Sequence, residues 1–115
     1  MSKFDDAVHV YLTEMKSIGL TEVDETLLRK ITKSLGPSIY LADAAKVSCS
    51  DKEERERLKK NFLVGKLKLK NDPSLDVAID GVCQEMGASN RNKYRAVFHY
   101  LLVRKLGKEN VFLKK

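Results

Sequence analysis

The chain has 115 residues, of which 43% are hydrophobic and 33% are charged, and its formal net charge is +6 at pH 7. These proportions are ordinary for one folded domain and exclude a globally disordered chain. No apolar run approaches about 18 residues, and the first six residues lack the apolar core of a signal peptide. We therefore expect a single cytoplasmic domain over residues 1–115, with no membrane segment.

Two amphipathic helices are predicted at the start of the chain. Apolar residues recur at positions i, i+3, i+4 and i+7 over residues 3–18, where Ser2 can act as the N-cap and Gly19 ends the helix. A second helix is expected to start near Thr21 and to end at Gly36, because the proline that follows cannot continue it.

The next segment combines a short apolar helix with a long charged helix. Apolar residues at helical spacing predict a short buried helix over residues 38–46. Ser50 and Glu53 then match a capping box, in which each side chain accepts the backbone N–H of the other residue. Apolar residues of the charged helix appear only from Leu58 onward, so its first turns are expected to project into solvent. The alternating residues 66–70 are interpreted as a frayed helix end that runs into a loop, because a lone strand has no partner.

Two further helices are predicted in the C-terminal half. Asp72 and Pro73 are typical of an N-cap and a first helical position, and Gly87 ends the helix that they start. Ser89 is the expected N-cap of the last helix, which covers about residues 90–106. Because this helix is apolar on two sides, we expect it to be central in an all-α, single compact bundle of five to six helices.

Basic residues are concentrated in the second half of the chain. Residues 1–50 have a net charge of −1, whereas residues 51–115 contain sixteen basic and nine acidic residues, a net charge of +7. Two stretches, 57–70 and 91–108, each contain six basic residues and no acidic residue. Such a half can bind nucleic acid, anionic lipid or an acidic protein, and it can equally be a solvated surface.

Residues 76–103 match the outline of a helix-turn-helix. The predicted second helix opens with side chains that suit phosphates and base edges, namely Arg91, Asn92, Lys93 and Arg95. Apolar residues farther along this helix indicate instead a helix sunk in the core, and the same turn pattern occurs in any helical bundle. Nucleic-acid binding through these four residues is therefore the second functional hypothesis.

The second apolar side of the last helix offers a surface for protein contact. It consists of Ala96, Tyr100 and Val103. Such a face fits a protein partner or a symmetric dimer. Alternatively, the N-terminal helices cover it, as in a bundle whose central helix is wrapped on all sides. A non-catalytic protein-interaction module, acting on a partner or by self-association, is the leading functional hypothesis.

Patterns of catalytic or metal-binding residues are missing from the sequence. His9, Cys49, Cys83 and His99 are too dispersed for zinc-ligand spacing, and no phosphate-binding glycine loop, nucleophile elbow or metalloprotease motif occurs. Acidic residues beside Cys49 oppose thiolate formation, and both cysteines of a cytoplasmic protein are expected to be reduced. We predict no enzymatic activity, cofactor or metal, and no small-molecule substrate is evident.

Three blocks of the sequence are distinctive: GPSIYLADAAKVSCSD, KNFL and NRNKYRAVFHYLL. Together they resemble a small bacterial family known only as a domain of unknown function, and the resemblance extends over nearly the whole chain. It implies a compact cytosolic protein made of helices. It supplies no activity, cofactor or site residue, so both functional hypotheses stay open.

Overall fold

The computed structural model describes residues 2–20, 22–41, 45–87, 90 and 93–113. Within these ranges lie six α-helices, namely α1 (Lys3–Ser17), α2 (Glu25–Leu35), α3 (Lys52–Arg57), α4 (Pro73–Met86), α5 (Arg95–Leu106) and α6 (Asn110–Leu113). A 3₁₀ helix, Gly36–Tyr40, follows α2, and a π-helical segment, Leu58–Lys66, continues α3. None of the described residues belongs to a β-strand. The predicted all-α class is therefore confirmed.

Local sequence explains the starts of α1 and α4. The Ser2 hydroxyl accepts a hydrogen bond from the Asp5 N–H, 3.1 Å away. The Asp72 carboxylate accepts from the Ser74 N–H at 2.7 Å, and Pro73 is the first residue of α4. Both N-caps satisfy backbone N–H groups that have no partner inside the helix. The two predicted starts are therefore confirmed.

The starts of α2 and α3 differ from the prediction. Helix α2 begins after Asp24, whose carboxylate caps its first turn, and not near Thr21, which lies outside the described residues. Helix α3 begins after Asp51, whose carboxylate accepts two N–H groups of the first turn, so Ser50 is not the cap. A charged acceptor interacts more favourably than a hydroxyl with the positive end of a helix, which explains the choice of Asp51. No residue of α3 is buried, and four of its six residues are exposed, so the expectation that the first turns project into solvent is confirmed for one side of this helix. Glu54 and Arg55 lie on the partly covered side.

Segments between the helices adopt less regular structure than the sequence predicts. The short buried helix expected over residues 38–46 is replaced by the 3₁₀ helix that ends at Tyr40, and Leu41 beyond it is 61% exposed. Residues 42–44 lie outside the described part of the chain. Residues 67–70 form a loop, as expected from the lack of a partner for a strand.

Helix α5 is the centre of the fold. All of residues 96–103 are buried, and α5 packs against α1, α2 and α4. The remaining helices therefore cover both of its apolar sides. This arrangement confirms that the last long helix is central.

Helix α5 begins later than predicted, at Arg95. The residues before it pair with a second extended segment: the Val47 N–H donates to the Lys93 carbonyl at 2.8 Å, and the Arg95 N–H donates to the Ala45 carbonyl at 2.7 Å. These hydrogen bonds hold the backbone in an extended form that a helix could not adopt. Ser89, the expected N-cap, lies outside the described residues.

A disulfide joins Cys49, in the loop before α3, to Cys83 in α4, and their Cα atoms are 6.1 Å apart. The expectation of two reduced thiols is therefore wrong for this fold. The two cysteines are separated by 34 residues, so only tertiary packing places them side by side.

Candidate functional site, a pocket over His99

A pocket of about 330 Å³ opens between α2, α3, the π-helical segment and α5. Its apolar wall is formed by Leu35, Leu58 and Phe62, and His99 contributes from the central helix. This volume lies at the lower end of the range for small-molecule pockets, which typically combine apolar walls with a few polar groups. We call this site the His99 pocket.

His99 is a buried polar side chain. It is 4% exposed, and its ring stacks on that of Phe62 with the centroids 3.8 Å apart. Burial, and then the positive charge of Arg95, lower the pKa of His99 to about 3. At neutral pH the imidazole is therefore uncharged, with one N–H donor and one bare nitrogen that accepts.

Neither ring nitrogen of His99 has a hydrogen-bond partner among the described residues. Buried polar groups in folded proteins nearly always have such a partner, and leaving one unpaired costs about 1–3 kcal/mol. A group that supplies both an acceptor and a donor to the imidazole would offset that cost.

The π-helical segment gives the pocket its long wall. The Leu67 N–H donates to the Phe62 carbonyl at 2.9 Å, five residues back along the chain. This turn is wider than that of an α-helix, and residues four apart, namely Leu58, Phe62 and Lys66, all line the pocket. π-Helical turns are rare and are frequently found at functional sites.

The rim of the pocket is positively charged. Glu54 and Arg95 form an ion pair at 2.5 Å with side chains only 15% and 21% exposed, so these two charges compensate each other. Arg57 and Lys66 add two positive charges to the lining. Arg57 lies 4.0 Å from Glu53, but both side chains are mostly exposed and such a pair is weak. The site therefore favours an anion over a cation.

A family model described as "Protein of unknown function (DUF2853)" matches residues 10–110. The chain belongs to the DUF2853 family. This match confirms the family resemblance drawn from the three sequence blocks, and its range includes every element that forms the His99 pocket. No match to the chain was found among the curated proteins.

The nucleic-acid contacts predicted for this DUF2853 protein are only partly described by the structure. Lys93 is 6% exposed, and its ammonium group donates to the Asn90 carbonyl at 2.7 Å. Arg95 is engaged by Glu54 at the pocket. Arg91 and Asn92 lie outside the described residues. The two described side chains therefore serve the fold and the pocket, because their charged groups are already engaged within the chain.

The described residues between 76 and 103 do not show the expected helix-turn-helix geometry. Helix α4 ends at Met86 and α5 begins at Arg95, so residues 87–94 separate them. A helix-turn-helix joins its helices by a turn of about three or four residues. The longer connection arises because the residues before α5 pair with the 45–47 segment.

The predicted protein-contact face of the DUF2853 protein is buried within the chain. Ala96, Tyr100 and Val103 are 0%, 2% and 0% exposed. The Tyr100 hydroxyl accepts from the Asp24 N–H at 2.9 Å, directly at the N-terminus of α2. The prediction of a free contact surface is therefore wrong, because α2 packs on α5 and covers this side.

The described residues of the DUF2853 chain contain no group of three or more His, Cys, Asp or Glu side chains that could hold a metal ion. None of the described helices is long and apolar enough to cross a membrane.

Proposed function

We propose that this DUF2853 protein is a non-catalytic binding domain that holds a small ligand in the His99 pocket. The observation that carries this proposal is a buried imidazole that lines a pocket and has no hydrogen-bond partner among the described residues. Both nitrogens are closed to solvent in this structure, so a ligand with a donor and an acceptor would complete their hydrogen bonding once the ring turns toward the pocket. Such a domain is of the non-catalytic binding class that the sequence predicts, with a small molecule in place of a protein partner.

The electrostatics of His99 support binding over acid–base catalysis. A general base works best when its pKa is near the operating pH, whereas the pKa of His99 is lowered to about 3. The positive charge of Arg95, one turn earlier on α5, further opposes protonation of the ring. His99 is therefore suited to hydrogen bonding as a neutral group.

Mapping small probes onto the protein tests the binding role. We expect benzamide and phenol, which each offer a donor and an acceptor, to shift the amide signals of Leu35 and Phe62 and the imidazole nitrogens of His99 in ¹H–¹⁵N spectra. His99→Phe keeps the aromatic ring but removes both nitrogens, so these shifts should largely disappear. His9→Gln, which changes an exposed histidine on α1, should leave them unchanged. Shifts elsewhere, or shifts that persist in His99→Phe, would contradict the proposed role.

Nucleic-acid binding is a second candidate function, supported by a different surface. Lys66, Lys68 and Lys108 line an open depression of about 430 Å³ together with Asn110 and Val111, and its lining includes no acidic residue. We call these three residues the lysine cluster. Clustered lysines bind phosphate backbones through release of counterions, without a requirement for base contacts.

Titration of a labelled duplex DNA and a single-stranded RNA, followed by anisotropy, tests the lysine cluster. We expect binding that weakens steeply with salt, and the double variant Lys68→Gln/Lys108→Gln should reduce the slope of log K against log salt by about two. Lys16→Gln removes an exposed lysine of α1 and serves as the control. An unchanged slope in the double variant, or no binding at low salt, would rule out this candidate.

A further inference from the structure

The charges around the His99 pocket indicate the chemical class of its ligand. We propose, on the basis of the binding role above, that the ligand is a small organic anion whose body also carries the donor and the acceptor that pair with His99. Its apolar body lies against Leu35 and Phe62, and its charged group lies at the rim, between Arg57 and Lys66.

The balance of charge in the lining favours an anion. The Glu54–Arg95 ion pair is largely buried and internally neutral. The remaining two charges, those of Arg57 and Lys66, are both positive and both exposed. An anion between them gains from both charges, whereas a cation of the same shape is repelled by both.

The apolar wall limits the ligand to a compact hydrophobic body. Leu58 and Phe62 are almost fully buried in the core, and they provide the pocket with a fixed apolar surface. Benzoate is a small aromatic anion that probes the charged group and the apolar body alone, since it has no hydrogen-bond donor for His99. For a probe with about nine heavy atoms, a Kd on the order of 1 mM is expected.

A charge series on one scaffold tests the proposal. Benzoate, benzamide and benzylamine have similar shapes but differ in charge: benzoate is negative, benzamide is neutral and benzylamine is positive. Each compound is titrated into the protein while the amide signals of Leu35 and Phe62 are followed. We expect benzoate to bind about tenfold more tightly than benzamide, and benzylamine to show no binding. Increasing the salt concentration should weaken the binding of benzoate and leave the binding of benzamide unchanged.

Three variants locate the charge. Arg57→Gln and Lys66→Gln should each raise the Kd of benzoate by about threefold to fivefold, which is the size expected for the loss of one exposed charge pair. Neither variant should change the Kd of benzamide. Lys60→Gln is the matched control, because Lys60 is exposed on the same π-helical segment but does not line the pocket. Arg57 lines this pocket and not the lysine cluster, so its variant separates the two sites.

The outcomes distinguish the ligand class from the binding role. Benzamide that binds as tightly as benzoate would overturn the anionic ligand class and leave the pocket as a binding site. If none of the three probes shifts the pocket signals, both the ligand class and the binding role are wrong. Benzoate shifts that move to Lys68 and Lys108 would also overturn the proposal, because they would assign the anion to the lysine cluster.

Discussion

Replacing His99 with phenylalanine is expected to remove much of the pH dependence of stability between about pH 6.5 and 4.5. The pKa of His99 is about 3 in the folded protein, whereas an unfolded histidine has a pKa of about 6.5. Below pH 6.5 the unfolded chain therefore binds a proton that the folded chain does not bind. The free energy of unfolding should fall as the pH decreases, by about 3 kcal/mol at pH 4.5 relative to pH 7.5.

Denaturant unfolding at several pH values between 7.5 and 4.5 measures this effect. The charged groups that line the pocket with His99 are Glu54, Arg57, Lys66 and Arg95, and all of them are present in both proteins, so their contributions cancel in the comparison. At pH 7.5 His99→Phe should be as stable as the wild type or more stable, because it replaces an unpaired polar group with an apolar ring. His9→Gln should follow the wild-type curve. A wild-type curve as flat as that of His99→Phe would show that His99 is not held neutral by burial.

The start of a helix can be predicted from the sequence where a nearby residue caps the first turn. Ser2, Asp72 and Pro73 act where the sequence places them, because caps depend on groups within a few residues of each other. The central position of α5 follows from its two apolar sides in the same way. The start of α5 could not be predicted from local sequence, because it depends on pairing with the 45–47 segment, which is far away in the chain.

The error at Ala96, Tyr100 and Val103 has a simple physical origin. Periodicity shows that a helix has two apolar sides, but not which other helices cover them. In the structure α2 packs on this side, and the Tyr100 hydroxyl accepts the N–H of the residue that caps α2. A second apolar side on a helix therefore does not show that this side is exposed.

The residues of the His99 pocket come from four separate elements, so no local pattern in the sequence predicts this pocket. One signal is present: Arg95 and His99 form a polar stripe four residues apart on a helix that is otherwise apolar over this region. For the π-helical wall, the one indication in the sequence is Gly65. A Cβ added at this position would lie 3.2 Å from the Lys60 carbonyl oxygen. A side chain at that position would crowd the wide turn. Neither signal is specific enough to predict a pocket.

Breaking the Cys49–Cys83 disulfide is expected to lower the free energy of unfolding by about 4 kcal/mol. The bond closes a loop across 34 residues, and its removal restores chain entropy to the unfolded state. Denaturant unfolding with and without a reductant measures the difference. The double variant Cys49→Ser/Cys83→Ala should have the stability of the reduced protein and should not respond to reductant. Equal stability of the oxidised and reduced wild type, with free thiols confirmed by mass spectrometry, would contradict the expectation.

The same bond should also influence the pocket, because it anchors the loop that leads into α3. Helix α3 carries Glu54 and Arg57, whereas the bond's other end lies in α4. An ion pair between Arg55 and Asp80 also links α3 to α4, so reduction should loosen α3 without releasing it. We therefore expect benzoate to bind the reduced protein more weakly, with a smaller loss than in Arg57→Gln. The cytoplasmic location stays a prediction. Because disulfides persist mainly in oxidising compartments, the thiol state of Cys49 and Cys83 in protein taken directly from cells would check this location.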